Sequence, residues 1–452
     1  MTLISNTTTR FWLKAATALV LAGIAYLLID EMVDFPTYYL AGRSLLRGET
    51  DLYAPQFSGG ILMDYRYPPF FVLVFSPIAL LPYKVASYLW LLLSFIEIYL
   101  CWAVVRRALR LTSDAHAQPH KLATVALLVT LLTVAQYFVK AINFGNVHLL
   151  VVLLMFASLY FALQHRNLPA ALLMSVAITF KLTPVILLPY FALKRRWKFL
   201  IYTSALLVLF NLFFPAAFFG FKGNLELLRT WHRHVVVDSE FHELNGPINL
   251  SLKGQLRRYF TEVRYEERLR DQNYKSINFA KLSTKQIDTW WAALSLIALA
   301  LSLGIIWWTS SARRQGKEDE TRPETTTNER NGETITRTLL ELGLMICLML
   351  FVGPSTSKLY FVALLWPVAC LAYFAFQRSR IKTKLIRYSL LLIATINIIA
   401  PLLPGSSIQR MLLVIGVDFY ITLILIIFHS YTLITLQRKS ALIEAELPAT
   451  QR

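Results

Sequence analysis

Asp34-Phe35-Pro36-Thr37-Tyr38-Tyr39 follows closely on an apolar run over residues 11–30, and Tyr67-Pro68-Pro69-Phe70 returns at the far end of the same loop, before the next full apolar run. The first run is long enough to cross a bilayer, which takes roughly 20 apolar residues. No A-x-A cleavage site follows it, so it is expected to persist as a first helix rather than be removed as a signal peptide. Asp34 then stands at the mouth of a membrane helix, where a carboxylate is costly to keep near lipid and needs a reason. An aromatic, proline-marked loop returning beside it predicts a pocket.

The membrane pattern continues outward along the chain. Its 452 residues are 56% hydrophobic and only 16% charged, against about 25% charged in soluble proteins, and the mean hydropathy is +0.51. The reading is an all-α polytopic membrane protein forming a single domain over 1–452. Twelve spans are expected, at about 11–30, 85–105, 121–139, 147–163, 168–180, 183–193, 199–219, 289–309, 338–353, 359–376, 385–404 and 411–436. Those at 168–180 and 183–193 are short and meet at Lys181-Leu182-Thr183-Pro184. Short helices meeting at a polar, proline-marked break line a cavity rather than face lipid. The apolar stretch 70–82 is too short to cross and is placed along the membrane surface.

The net charge of +18 lies mostly between spans, which is a topology signal and not a nucleic-acid footprint. Arg106-Arg107, Lys194-Arg195-Arg196, Arg313-Arg314, Arg378 to Arg387 and Arg438-Lys439 fall on one side, taken as cytoplasmic with both termini. Asp34 then lies outside. The outer loops are 31–84, with a surface helix starting at Asp34-Pro36 and stopping at Gly48, and 220–288, which is polar and helix-prone. The inner loop 310–337 is expected to be disordered. Cys101, Cys347 and Cys370 all lie in apolar runs without CxxC spacing, so they read as buried residues.

Several polar residues carry candidate chemistry. A carboxylate such as Asp34 suits removal of a hydroxyl proton; one suffices for an inverting single displacement at a sugar, whereas retention takes two. Asp34 equally suits a helix N-cap. Asp30 and Glu31 lie nearer the span and lack the aromatic frame. Tyr38, Tyr65 and Tyr67, with Arg66 between the last two, offer rings and hydroxyls to a sugar, or form an interfacial belt. Lys181 suits a departing lipid phosphate, or snorkels to the interface. Lys253, Arg257 and Arg258, after Asn249-Leu250-Ser251, suit a phosphate or an anionic acceptor, or form a solvated basic face. Lys358 and Tyr360, following Gly353-Pro354-Ser355, open the next span on the outer side. Asn143, Asn146 and His148 flank Gly145; a lone histidine there reads as interfacial. His232, His234 and His242-Glu243 are spaced too loosely for zinc, and no motif requires a metal or other cofactor. Glu97, mid-span, has no evident sequence partner.

Taken in order, these elements resemble glycosyltransferase family 87, membrane enzymes of the GT-C superfamily. The family's opening pattern stands here as Asp34, Tyr38-Tyr39, Gly48, Leu52-Tyr53 and Tyr67-Pro68-Pro69-Phe70. Gly145-Asn146-Val147, Lys181-Leu182-Thr183-Pro184 through Arg195-Arg196-Trp197, and Asn249 through Arg258 are similar to later elements. The resemblance implies a GT-C-type fold in a bacterial inner membrane with a periplasmic site. It implies a polyprenyl-phosphate hexose donor, with mannose the expected sugar, and a lipid or glycan hydroxyl acceptor. Asp34 would be the general base. Lys181, Arg257, Arg258 and Lys358 would hold the donor phosphate, and Tyr38, Tyr65, Arg66, Tyr67, Asn146, Asn249 and Tyr360 would line the substrate site. One departure is visible: where relatives carry histidines before a late span, this chain reads Ser357-Lys358-Leu359-Tyr360. The readings from other classes are a lipid-linked oligosaccharide transporter and a non-catalytic envelope-assembly subunit.

Overall fold

The computed structural model of the protein describes residues 32–53, 65–112, 120–233, 248–262, 277–311, 324–377, 383–402 and 406–446. The apolar run 11–30, Asp30, Glu31, His234 and His242-Glu243 lie outside these. Every regular element among the described residues is helical, and eight helices are long and apolar enough to cross a membrane. The protein is an all-α polytopic membrane protein.

In chain order, the first elements are α1 Phe35–Leu46, α2 Pro69–Ala79, α3 Tyr83–Arg110, α4 His120–Phe144, α5 His148–Leu163 and α6 Asn167–Phe180. A 3₁₀ turn Thr183–Leu187 leads to α7 Leu188–Leu193, then α8 Trp197–Val208, α9 Phe214–Trp231 and α10 Leu252–Phe260. The rest are α11 Thr284–Ser311, α12 Glu324–Val352, α13 Leu365–Gln377, α14 Lys384–Leu402, α15 Ser406–Ile415 and α16 Val417–Glu446. Of the eleven expected spans within the described residues, α5, α6 and the Thr183–Leu193 piece are too short to meet the length of a span. The expected count of twelve is therefore not reached by length among the described residues.

Between lipid-facing helices there is little hydrophobic driving force, so close packing and interhelical hydrogen bonds decide the arrangement. α6 shows this. Its buried residues include Ala170, Ala171, Ser175 and Ala177, small enough to admit a neighbour on each side. Ser158 of α5 donates to Ala170 O at 2.7 Å, and Ser175 donates to Thr203 O of α8 at 3.1 Å. The other principal pairings are α3 with α5, α4 with α13 and α14, and α12 with α16. Helix α2 packs on α1 with Phe71, Phe75 and Ala79 buried between them.

Two expectations change. The expected span 411–436 is broken at Gly416, where φ is +79° and the side chain of Gln255 lies against the backbone, leaving no room for a Cβ. Helix α9 continues through a kink at Gly220 to Trp231, in keeping with the helix-prone reading of the segment after residue 219. The stretch 324–337 is helical instead of disordered: it is the first part of α12, and Arg337 is buried, donating to Thr309 O and, at 2.8 Å, to Gln437 Oε1. A cation fixed by acceptors on two neighbouring helices holds that end of α12 in place.

Contacts sort the connecting segments into two sets. Arg196 pairs with His165, Lys194 reaches Ser310 and Glu341, and Arg337 reaches Gln437. The second set joins Asp34, the turn at 144–148, Lys181, the segment 249–258, the turn at 353–360 and Gly416. The Lys194–Arg196 segment, read as cytoplasmic from its charge, falls in the first set, and the segments at Asp34, 249–258 and 353–360, read as outer, fall in the second.

Candidate active site

Asp34 is half-buried at the start of α1, where Pro36 supports the first turn. Its side chain makes no capping hydrogen bond to the helix, so its other expected role, as a simple cap, is not what the carboxylate does. Instead Asn146 Nδ2 donates to Asp34 Oδ2 at 2.6 Å. The backbone repeats the link: Asp34 N donates to Phe144 O at 2.9 Å.

The α4–α5 turn can reach Asp34 because of Gly145. Its φ is +60°, and a Cβ there would come within 2.8 Å of Met32 Sδ and 3.0 Å of Phe35 Cβ. Only glycine fits that conformation and that approach without strain. Trp90 Nε1 donates to Gly145 O at 2.9 Å and pins the turn to α3. Asn146 Oδ1 accepts from His148 N at 2.8 Å. An amide carries donor and acceptor ends, and here both are assigned: one orients the carboxylate, the other starts α5.

An aromatic wall stands beside the carboxylate. The hydroxyls of Tyr38 and Tyr67 are 2.7 Å apart, and Tyr53 donates to Tyr67 O at 2.8 Å. Tyr38 also packs edge-on against Tyr67, Phe71 and Trp90. Burial, with Tyr67 and Asp34 nearby, pushes the Tyr38 hydroxyl well above its usual range, so it remains a neutral donor. Tyr65 is buried behind this layer, while Arg66 and Tyr67 stay half-exposed. Trp231 Nε1 donates to Arg66 O at 3.1 Å, tying the end of α9 to this turn.

Lys181 occupies the break its sequence predicts. Its backbone is extended (φ −152°, ψ +123°) between α6 and the 3₁₀ turn. Its Nζ sits 3.5 Å from the centroid of the Tyr360 ring, and that ring stacks on His148 at 4.5 Å. Asp34, Asn146, His148, Tyr360 and Lys181 thus form one continuous chain of contacts. Sequence reading named four of these and set His148 aside as interfacial. His148 is in fact fully buried, 1% exposed. Its place two residues after Asn146, at the first position of an apolar helix, was the available signal.

The remaining expected residues lie across the 353–360 turn. Asn249 accepts from Thr356 N and Ser251 N through Oδ1, both at 3.1 Å, and donates to Pro354 O at 3.0 Å. These bonds commit its amide to backbone and brace the 353–356 turn. Gly254 belongs to the same brace, since a Cβ there would lie 2.2 Å from Asn249 O. Lys253 Nζ and Arg257 NH2 reach Asp288 Oδ1 at 2.8 and 3.2 Å. Arg257 and Arg258 are each 1% exposed, which rules out the solvated basic face. Lys358 Nζ lies 3.9 Å from Asp418 Oδ2, and Tyr137 donates to Asp418 Oδ1 at 2.7 Å. Sequence reading missed Asp418, although a carboxylate within an apolar run is itself a signal.

The family model for glycosyltransferase family 87 matches residues 65–321, more than half of the chain. The chain belongs to glycosyltransferase family 87. It is 26% identical over 201 residues to a polyprenol-phosphate-mannose-dependent alpha-(1-2)-phosphatidylinositol mannoside mannosyltransferase of Mycobacterium tuberculosis, covering 41% of this chain and 45% of that protein. It is 29% identical over 167 residues to the corresponding pentamannoside mannosyltransferase of Mycolicibacterium smegmatis, covering 35% and 37%. These matches span under half the length of either relative. No solved structure matches the chain. Within the family match lie Asn146, His148, Lys181, Arg257 and Arg258; Asp34 precedes it and Tyr360 follows it.

Proposed function

We propose that the protein is an inverting membrane glycosyltransferase that moves a hexose from a polyprenyl-phosphate donor to a lipid or glycan hydroxyl at the periplasmic face. Mannose is the sugar, because it is the one named in the donors of the relatives. The observation that carries the reading is the oriented carboxylate: Asp34 held by Asn146 at 2.6 Å, joined to a cation through His148, Tyr360 and Lys181.

The chemistry follows from that arrangement. Asp34 takes the proton of the acceptor hydroxyl as its oxygen attacks the anomeric carbon. The bond to the donor phosphate breaks on the opposite face, and the leaving phosphate keeps the bonding electrons. Lys181 stabilises the charge that develops there. One carboxylate does this in a single displacement, so a β-linked donor gives an α-linked product, the linkage in the relatives' names. Tyr38 and Tyr67 line the sugar side.

The test is transfer of labelled mannose from polyprenyl-phosphate-mannose to membrane lipids by the purified protein. Wild type is expected to label a lipid and Asp34→Asn to label none. Equal product from both would remove Asp34 as the base. No product from wild type with any polyprenyl-phosphate sugar would overturn the transferase reading itself.

A further inference from the structure

His148 is fully buried at this site, and among the described residues neither of its ring nitrogens makes a well-formed hydrogen bond, only a weak approach to the Tyr360 backbone. A buried polar group left unsatisfied costs about 1–3 kcal/mol, so an unpaired imidazole at a candidate active site needs a reason to persist. The ring is held with care. Its backbone N–H is fixed by Asn146, the residue that also holds the base. Its face is covered by Tyr360, which is half-exposed and itself lies under Lys181 Nζ.

The surroundings favour an anion. His148 is the first residue of α5, a helix of 16 residues, and the N-terminal turn of a helix presents unpaired N–H groups and the positive end of its dipole. Lys181 adds a full positive charge on the other partner of the stack. An imidazole in any protonation state carries an N–H, which can donate to a phosphoryl oxygen. Asp34 can use only one side of this cluster without repelling a phosphate, and Asn146 separates the carboxylate from His148 along the chain.

We propose that His148 is a donor-recognition residue: its ring N–H hydrogen-bonds the phosphoryl group of the polyprenyl-phosphate donor beside Lys181, once Tyr360 swings off the imidazole. The inference rests on the transferase reading and adds a phosphate ligand that the sequence did not reveal. It assigns Tyr360 a second role as a cover that keeps the ring packed until the donor arrives. The phosphate so held is the leaving group, so the same contact carries over to the product, polyprenyl phosphate.

Two variants separate hydrogen bonding from packing. His148→Phe keeps an aromatic ring to stack on Tyr360 and loses the N–H; His148→Gln keeps an N–H and loses the ring. Steady-state kinetics with polyprenyl-phosphate-mannose would give KM for donor and acceptor separately, and polyprenyl phosphate would be added as a product inhibitor. The expected result for His148→Phe is a donor KM and an inhibition constant each raised about tenfold, with the acceptor KM unchanged and the melting temperature near wild type; one charge-assisted hydrogen bond accounts for a change of that size. His148→Gln is expected to recover part of the loss. Wild-type donor KM and inhibition in His148→Phe would overturn the proposal, as would a rise in acceptor KM alone. Wild type that neither transfers mannose nor binds polyprenyl phosphate marks failure of the transferase reading instead.

Discussion

Asn146 is the residue on which Asp34, the proposed base, depends, because it spends one end of its amide on Asp34 and the other on the start of α5. Asn146→Ala is expected to lower kcat by about 10–100-fold with the donor KM little changed, below the 10²–10⁴-fold expected for removing a general base outright. Single-turnover transfer assays on both variants would check the ranking, and an Asn146→Ala variant as dead as Asp34→Asn would show that Asn146 touches substrate. Asp34, Lys181 and Tyr360 were readable as functional candidates because polar or aromatic residues at breaks between apolar runs are expensive. What Asn249 bonds to was not readable for a physical reason: a residue type in a pattern does not show whether its amide faces solvent or, as here, the neighbouring backbone. His148 was misread. A histidine beside a span reads as interfacial until the fold folds Tyr360 over it.

Short elements hold the site together, and their glycines and buried charges are where they break. Gly254 lets α10 start against Asn249 O, where a Cβ would lie at 2.2 Å. Gly254→Ala is therefore expected to push α10 away from the 353–356 turn and cost about 1–3 kcal/mol, the usual price of overpacking. A lowered melting temperature in detergent, together with lost activity, would bear this out; an unchanged melt would mean the turn relaxes freely. At the opposite end, Glu341 is fully buried and paired with Lys194 at 2.7 Å, with Tyr190 donating to it at 3.0 Å. Lys194→Met leaves that carboxylate without its cation and is expected to destabilise by about 3–5 kcal/mol, read as a large fall in melting temperature that Lys194→Met/Glu341→Leu partly restores. The break at Lys181 was legible because proline and charge interrupt two short apolar runs. The break at Gly416 was not: it falls inside an apolar run, and the packing of Gln255 against it comes from a helix far away in sequence, which hydropathy does not carry.

Across the whole molecule, the argument about side comes from charge, and the Lys194–Arg196 segment and Asp34 fall in different sets of contacts. Lys194 and Arg196, in a segment that reads as cytoplasmic, bond to Glu341 and His165. Asp34, Lys181 and Tyr360 belong to the other set. Span number was hard to read, because hydropathy scores length and the helices nearest the site are short; a cavity-lining helix can be short since its end faces protein instead of lipid. The sidedness is directly measurable. Glu49, exposed just after α1, and Gln164, exposed after α5, belong to opposite sets. Cys101, Cys347 and Cys370 are all buried, so they give little background to a thiol reagent. In intact cells, a membrane-impermeant maleimide is expected to label Glu49→Cys and to leave Gln164→Cys unlabelled until the membrane is permeabilised. The reverse pattern would put Asp34 on the cytoplasmic side. The base would then face the compartment that holds nucleotide-activated sugars, and the argument for a lipid-linked donor would lose its reason, since a polyprenyl carrier is needed only where soluble activated sugars are absent.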